Sequence, residues 1–196
     1  MWSSKYFTHT GTMTPRCSVF SLIKGDAAAW IAIWSGRNSW DATPVRLLTC
    51  VYYLLLYPGV RATALYRIAH ALHEQRVRVL PQLVTQLNAF LHGLEIPCTV
   101  SIGPRLYIPH PYGTVVTAAR IGSDLTLVSN VTIGMRTERI FPTIGDRVFI
   151  GAGARVLGAI HLGNDVNVGA NAVVLKDVPD GSVAVGVPAQ VRPGRS

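Results

Sequence analysis

The sequence predicts a mainly β protein with an α-helical N-terminal part: a parallel β-helix of hexapeptide repeats preceded by a small helical module. Three observations carry this reading. Between Ile96 and Val178 an aliphatic residue followed by glycine recurs on a six-residue ladder, as in Ile102-Gly103, Ile121-Gly122, Ile133-Gly134, Ile144-Gly145, Ile150-Gly151, Leu162-Gly163 and Val168-Gly169. From residue 144 to residue 174 every step is six, and four residues beyond these steps stand Val148, Ala154, Ile160, Val166 and Ala172. Upstream of residue 95 the ladder gives way to apolar stretches of helical length, separated by Gly and Pro.

A fixed short period marks a solenoid, in which each repeat buries its apolar side only against its neighbours. Three hexapeptides make a coil of about eighteen residues, one hexapeptide on each flat side of a prism. The aliphatic residue points inward and stacks on its own copies from adjacent coils. The Gly, Asn or Asp beside it is expected at the tight corner, where positive φ costs those residues least. A helix does not fit, because apolar residues at i, i+4 and i+6 would wrap around it.

The elements follow in chain order. Residues 1–18, rich in Ser and Thr with Gly11 and Pro15, read as a loose leader. A first helix is predicted over 19–36 around the apolar centre Ala27–Trp34. A second runs from Pro44 to Tyr57 and is broken by Pro58-Gly59. A third covers Val60 to about Val79, with Leu65, Ile68, Ala69 and Leu72 as its inward stripe. Pro81 opens a fourth, with Leu83, Leu87, Phe90 and Leu91 on one face and Gly93 closing it. The division is thus a helical module over 19–94, a β-helix domain over 95–190 and a tail over 191–196. Two irregularities interrupt the ladder: thirteen residues separate Ile108 from Ile121, and eleven separate Ile133 from Ile144. The first places an extra residue near His110–Gly113, and the second makes Met135–Pro142 loop out. Insertions in solenoids often carry function.

Bulk properties narrow the function. A chain of 196 residues that is 49% hydrophobic fits one packed domain with a small accessory piece. The net charge of +8 is scattered, with Arg76-Val77-Arg78 the densest cluster. That excludes a polybasic nucleic-acid surface and suits a phosphate-bearing small cofactor. Cys17, Cys50 and Cys98 are odd in number and lack metal spacing, so they read as free thiols in a reducing cytoplasm. The N-terminus carries no cleavable signal pattern, and the apolar stretches 27–34 and 47–57 are shorter than the roughly 20 residues that span a bilayer. The second stretch, with Tyr52, Tyr53 and Tyr57, reads as a helix at an interface or a peripheral membrane contact. A zinc hydratase on such a prism would need about three histidines from adjacent coils. Only His110 and His161 lie in the repeats, so no metal is expected.

The chemistry is expected at His110, held between Pro109 and Pro111 at the first irregularity. Histidine exchanges protons near neutral pH and serves as a general base when rigidly placed. Pro58-Gly59-Val60-Arg61-Ala62, Tyr66-Arg67-Ile68-Ala69-His70, Glu95-Ile96-Pro97, His110, Ile150-Gly151-Ala152-Gly153-Ala154 and Gly186-Val187-Pro188-Ala189 together resemble the serine O-acetyltransferase family. The resemblance runs from about residue 41 to residue 190. It implies a left-handed β-helix and a homotrimer with active sites between subunits, in the cytoplasm. It also implies acetyl transfer from acetyl-CoA to an acceptor hydroxyl, deprotonated by His110. Glu95, fifteen residues earlier, matches the acidic residue that orients the base, which is usually Asp in that family. Coenzyme A would contact the corners at Ala152 and Ala170, with Gly186, Val187, Pro188, Lys176 and Arg192 near its arm and phosphates.

The departures bear on the acceptor. Pro109 stands where the serine enzymes carry Asp, and Arg139-Ile140-Phe141 replaces an Arg-His pair that reads the amino acid. Pro44 replaces a further Asp, with Asp41 nearby. The acceptor implied by family membership is L-serine; a pocket of Tyr112, Phe141, Arg139 and Asp41 would also suit a carbohydrate hydroxyl, as in polysaccharide O-acetyltransferases. The terminal Ile that docks cysteine synthase is absent, so no such complex is expected.

Overall fold

The computed structural model describes residues 18–38, 46–137 and 139–194. Four helices come first: α1 (Val19–Trp34), α2 (Leu47–Leu56), α3 (Pro58–Glu74) and α4 (Leu80–His92). Thirteen short strands follow, from β1 (Leu94–Glu95) to β13 (Gln190–Pro193). Twelve of them form three parallel ladders, the flat faces of a prism. The first face stacks β1, β2 (Thr114–Val116), β5 (Thr132–Gly134), β8 (Arg155–Leu157) and β11 (Val173–Val174). The second stacks β3 (Arg120–Ile121), β6 (Thr143–Ile144) and β9 (His161–Leu162). The third stacks β4 (Thr126–Leu127), β7 (Phe149–Ile150), β10 (Asn167–Val168) and β12 (Ser182–Val185), and β13 closes its edge antiparallel to β12.

The interior is the expected set of stacked columns. Val116, Ile133, Val156 and Val174 line the first face, Ile121, Ile144 and Leu162 the second, and Leu127, Ile150, Val168 and Ala184 the third, all buried. The residues four positions on, Val148, Ala154, Ile160, Val166 and Ala172, are buried beside them. Each buried aliphatic side chain of this size contributes roughly 1.5–3 kcal/mol relative to exposure. The column is therefore what holds strands of two or three residues together.

The glycines act differently from the expectation. Gly103, Gly122, Gly145 and Gly163 keep negative φ; they are needed because successive coils touch there. A Cβ on Gly122 would stand 2.6 Å from the Gly145 carbonyl oxygen, and one on Gly145 would stand 2.8 Å from that of Gly163. Positive φ falls two residues later, at Arg105, Asp124, Arg147 and Asp165. Two arginines tolerate it because each is tied bidentately to the carboxylate one coil away. Arg105 donates to both oxygens of Asp124 at 2.6 Å, and Arg147 to those of Asp165 at 2.6 and 2.7 Å.

The helical module departs from the predicted faces. The first helix ends at Trp34, two residues short of the expected 36. The second starts at Leu47, and Pro44 lies outside the described residues. Pro58-Gly59 does not separate two helices by a loop: Pro58 is the first residue of α3, Tyr57 alone joins it to α2, and the axes bend by 109°. The third helix stops at Glu74, not Val79. Its buried side is Val60, Ala62, Thr63, Ala64, Tyr66, Arg67 and Ala69, whereas Ile68 faces out. On α4 the stripe Leu83, Leu87, Phe90 and Leu91 is exposed, and Pro81, Asn88 and His92 point inward. The reason is polar. Asn88 Nδ2 donates to the Ala62 carbonyl at 2.9 Å and Arg61 Nε donates to His92 Nε2 at 3.4 Å, so α4 sits on α3 through hydrogen bonds.

The Tyr-Arg-x-x-His segment of α3 closes the open end of the prism. A first coil has no neighbour above it, so its carbonyls lack donors. Tyr66 Oη donates to the Val100 carbonyl at 2.7 Å, and His70 Nδ1 lies 2.8 Å from that of Cys98. Arg67 donates to the carbonyls of Ile102 and Gly103 at 2.6 and 2.7 Å. Its remaining edge meets Asp26 of α1 at 2.9 and 3.1 Å, and Asp26 also accepts the Leu106 N–H at 2.9 Å. Burial pushes the Tyr66 phenol well above its ordinary range, so it stays a neutral donor.

Candidate active site

His110 sits on the corner where the third face turns into the first. Ile108 is buried in the third-face column and Thr114 begins β2, so two residues more than the usual six are used between Ile108 and Val116. One residue fewer follows between Val116 and Ile121, which gives the net excess of one seen in the ladder. The corner is fastened on both sides. The His110 N–H donates to the Val128 carbonyl at 3.2 Å below it, and the Gly113 N–H donates to the Gly93 carbonyl at 3.0 Å above it. Pro111 is buried, while the side chains of His110 and Tyr112 are exposed.

Strand register shows what shares this corner. Tyr107 pairs with Thr126, Leu127 with Ile150, Ile150 with Val168, and Val168 with Ala184. Two residues past each partner of Ile108 lie Ser129, Ala152, Ala170 and Gly186. His110, the two corners expected to contact coenzyme A and Gly186 therefore stand on one edge of the prism, in register. Four coil spacings of ~4.8 Å separate His110 from Gly186, a track of about 19 Å. Val187 and Pro188 continue this edge, both exposed. Ser129, the residue below His110 on the same edge, went unnoticed in the sequence; counting nineteen residues on from His110 finds it.

The other predicted residues lie elsewhere. Glu95 faces outward on the first face, paired with Val115, and no hydrogen bond joins it to His110 among the described residues. The Met135–Pro142 insertion leaves the next corner, between the first and second faces, and is anchored by the Ala119 N–H on the Pro142 carbonyl at 2.9 Å. Arg139 is exposed there and Phe141 half-buried; Lys176 stands on that corner too. Beneath the loop Arg136, Ile140, Leu157 and Leu175 border a shallow cleft of about 230 Å³. Arg192 is exposed on β13, opposite Val183. Asp41 lies outside the described residues. A single chain thus carries the base on one corner and the insertion on another.

The bacterial transferase hexapeptide (six repeats) family matches residues 141–176. A serine acetyltransferase of Helicobacter pylori strain J99 is 44% identical over 160 residues, 80% of this chain and 87% of that relative. The chain belongs to the serine acetyltransferase family. Among solved serine acetyltransferases, the soybean enzyme complexed with serine superposes with a TM-score of 0.76 at 32% identity, covering 89% of this chain and 70% of that one. A serine acetyltransferase complexed with CoA gives a TM-score of 0.76 at 29% identity, over 89% of this chain and 70% of that one. As in these serine acetyltransferases, the prism is a left-handed parallel β-helix preceded by a helical part, and the chain is an acyltransferase.

Proposed function

We propose that this protein transfers the acetyl group of acetyl-CoA to the hydroxyl of L-serine, with His110 as general base. One observation carries the reading: His110, Ala152, Ala170 and Gly186 occupy one prism edge in register, an exposed track from the base to the last coil. An extended thioester arm laid along that edge brings its carbonyl to the imidazole. His110 takes the proton of the acceptor hydroxyl as its oxygen attacks the thioester carbon. The carbon–sulfur bond then breaks, and the proton passes to the departing thiolate. Glu95, the acidic residue that the family resemblance pairs with the base, would orient the imidazole and stabilise its cation once the His110 side chain turns toward it with the acceptor bound. Arg192, exposed on β13, supplies positive charge suited to the phosphates at the far end, and Lys176, on the corner of the insertion, would reach them only from a neighbouring copy.

Because the base and the insertion stand on different corners, a complete site takes two copies: the His110 edge of one and the Met135–Pro142 loop of the next. A closed ring of three copies provides three such sites by symmetry. Mixing two inactive variants tests this. His110→Ala and the double variant Arg139→Ala/Phe141→Ala, refolded together, should recover turnover that neither shows alone. Persistent inactivity of the mixture, with mixed oligomers demonstrated by mass, would contradict a shared site.

A carbohydrate hydroxyl is the second reading. Pro109, beside the base, provides no charge for an ammonium group, and a buried ammonium or carboxylate without a charged partner is costly.

A further inference from the structure

The helix α2 presents an apolar face that none of the described residues covers. Its sequence, LLTCVYYLLL, holds no charged residue, and Cys50 is its only buried side chain. Tyr53 and Leu54 turn inward, onto the cluster of Ala27, Trp30, Val60 and Tyr107. Leu47, Leu48, Val51, Tyr52, Leu55 and Leu56 turn outward and are between 43% and 83% exposed. A surface helix is ordinarily polar on that side. Trp34 of α1, 64% exposed, packs edge-on against Tyr57 just past the end of α2.

We infer that this face docks on the surface of an anionic lipid bilayer. Charge selects the occupant. Over residues 18–38 and 46–93 the cations are Lys24, Arg37, Arg46, Arg61, Arg67, Arg76 and Arg78, against Asp26 and Glu74. Asp26 is buried against Arg67, which leaves Glu74 as the exposed carboxylate of these helices. A second copy of the chain would bring the same excess of cations, with Arg46 at the head of each α2, whereas anionic headgroups complement it. Ten residues at ~1.5 Å each give about 15 Å, too short to span and suited to lying in the plane of the interface. The C-terminal carbonyls of such a helix would ordinarily need water. Here Arg61 Nη1 donates to the Leu55 carbonyl at 2.6 Å, which satisfies that end from the protein side. Tyr52 and Trp34 add aromatic rings of the kind enriched at headgroup depth.

The test is cosedimentation of the full chain with phosphatidylcholine vesicles, with and without phosphatidylglycerol. The native protein should partition onto the anionic vesicles about tenfold more strongly than onto the neutral ones, and lose this in high salt. The double variant Leu48→Glu/Leu55→Glu, altered only at exposed positions, should melt like the native protein and bind anionic vesicles at least about tenfold more weakly. Equal or absent partitioning of the native protein on both vesicles would overturn the inference, as would undiminished binding by the variant. A fall in solution mass of the variant without lipid would overturn it too, by showing the face to be a contact between copies.

Discussion

Replacing His110 with alanine is expected to lower kcat by about 10²–10⁴-fold, the usual contribution of a positioned general base. Coenzyme A binding should hardly change, because the edge formed by Ala152, Ala170 and Gly186 does not depend on the imidazole. Stopped turnover and a binding titration on the same preparation separate the two effects. The variant should also fold normally, since the His110 side chain is exposed and, among the described residues, its hydrogen bond is that of the backbone N–H to the Val128 carbonyl. Unimpaired turnover, or loss of coenzyme A binding in step with activity, would remove His110 from the role of base. Glu95→Gln keeps the shape and deletes the charge. It should lower kcat by less than His110→Ala does, as befits a positioning residue.

The second large effect concerns Arg67. Replacing it with methionine leaves Asp26 buried without its cation and the carbonyls of Ile102 and Gly103 without their donor. Breaking a buried pair by removing one partner costs about 3–5 kcal/mol, so urea unfolding should shift by that amount. The companion double variant Arg67→Met/Asp26→Leu should cost less than the sum of the single changes, because no lone charge remains. It should not be neutral, since the carbonyls stay unpaired at roughly 1–3 kcal/mol each. Additive single and double effects would show that the pair does not act as a unit. This contact takes no part in the proposed chemistry, yet it fixes the start of the coil that leads to His110.

The sequence was most legible where geometry repeats. Stacked columns such as Ile121–Ile144–Leu162 need an aliphatic residue at a fixed spacing, and the six-residue ladder is that requirement written out. The edge of the prism was legible for the same reason once register was counted, since Ala152, Ala170 and Gly186 follow from Ile150, Val168 and Ala184. What did not repeat was hidden. Asp26 and Arg67 are 41 residues apart, and nothing local in either marks the other. The exposed stripe of α4 looked like a core face, because a hydrophobic pattern states that a side is apolar without stating what lies against it. The glycine after each aliphatic residue was read as a corner residue; at Gly103, Gly122, Gly145 and Gly163 it is instead a point of contact between coils, a property of the stack that no single repeat displays, while Gly134 has open space around it. The corner carrying the Met135–Pro142 loop was equally invisible, because eleven residues between Ile133 and Ile144 give the size of an insertion and not its direction.

The acceptor is where family and residues pull apart. Family membership, supported by the 44% identity to a serine acetyltransferase over most of both chains, points to L-serine. Pro109 and the Arg139-Ile140-Phe141 loop point to a sugar. One measurement decides most directly: release of free thiol from acetyl-CoA by the purified chain, with L-serine against a panel of sugars and nucleotide sugars. The account predicts thiol release with L-serine that His110→Ala lowers by about 10²–10⁴-fold. Release with a sugar alone would contradict it, and would mean that the catalytic edge was kept while the acceptor pocket was rebuilt.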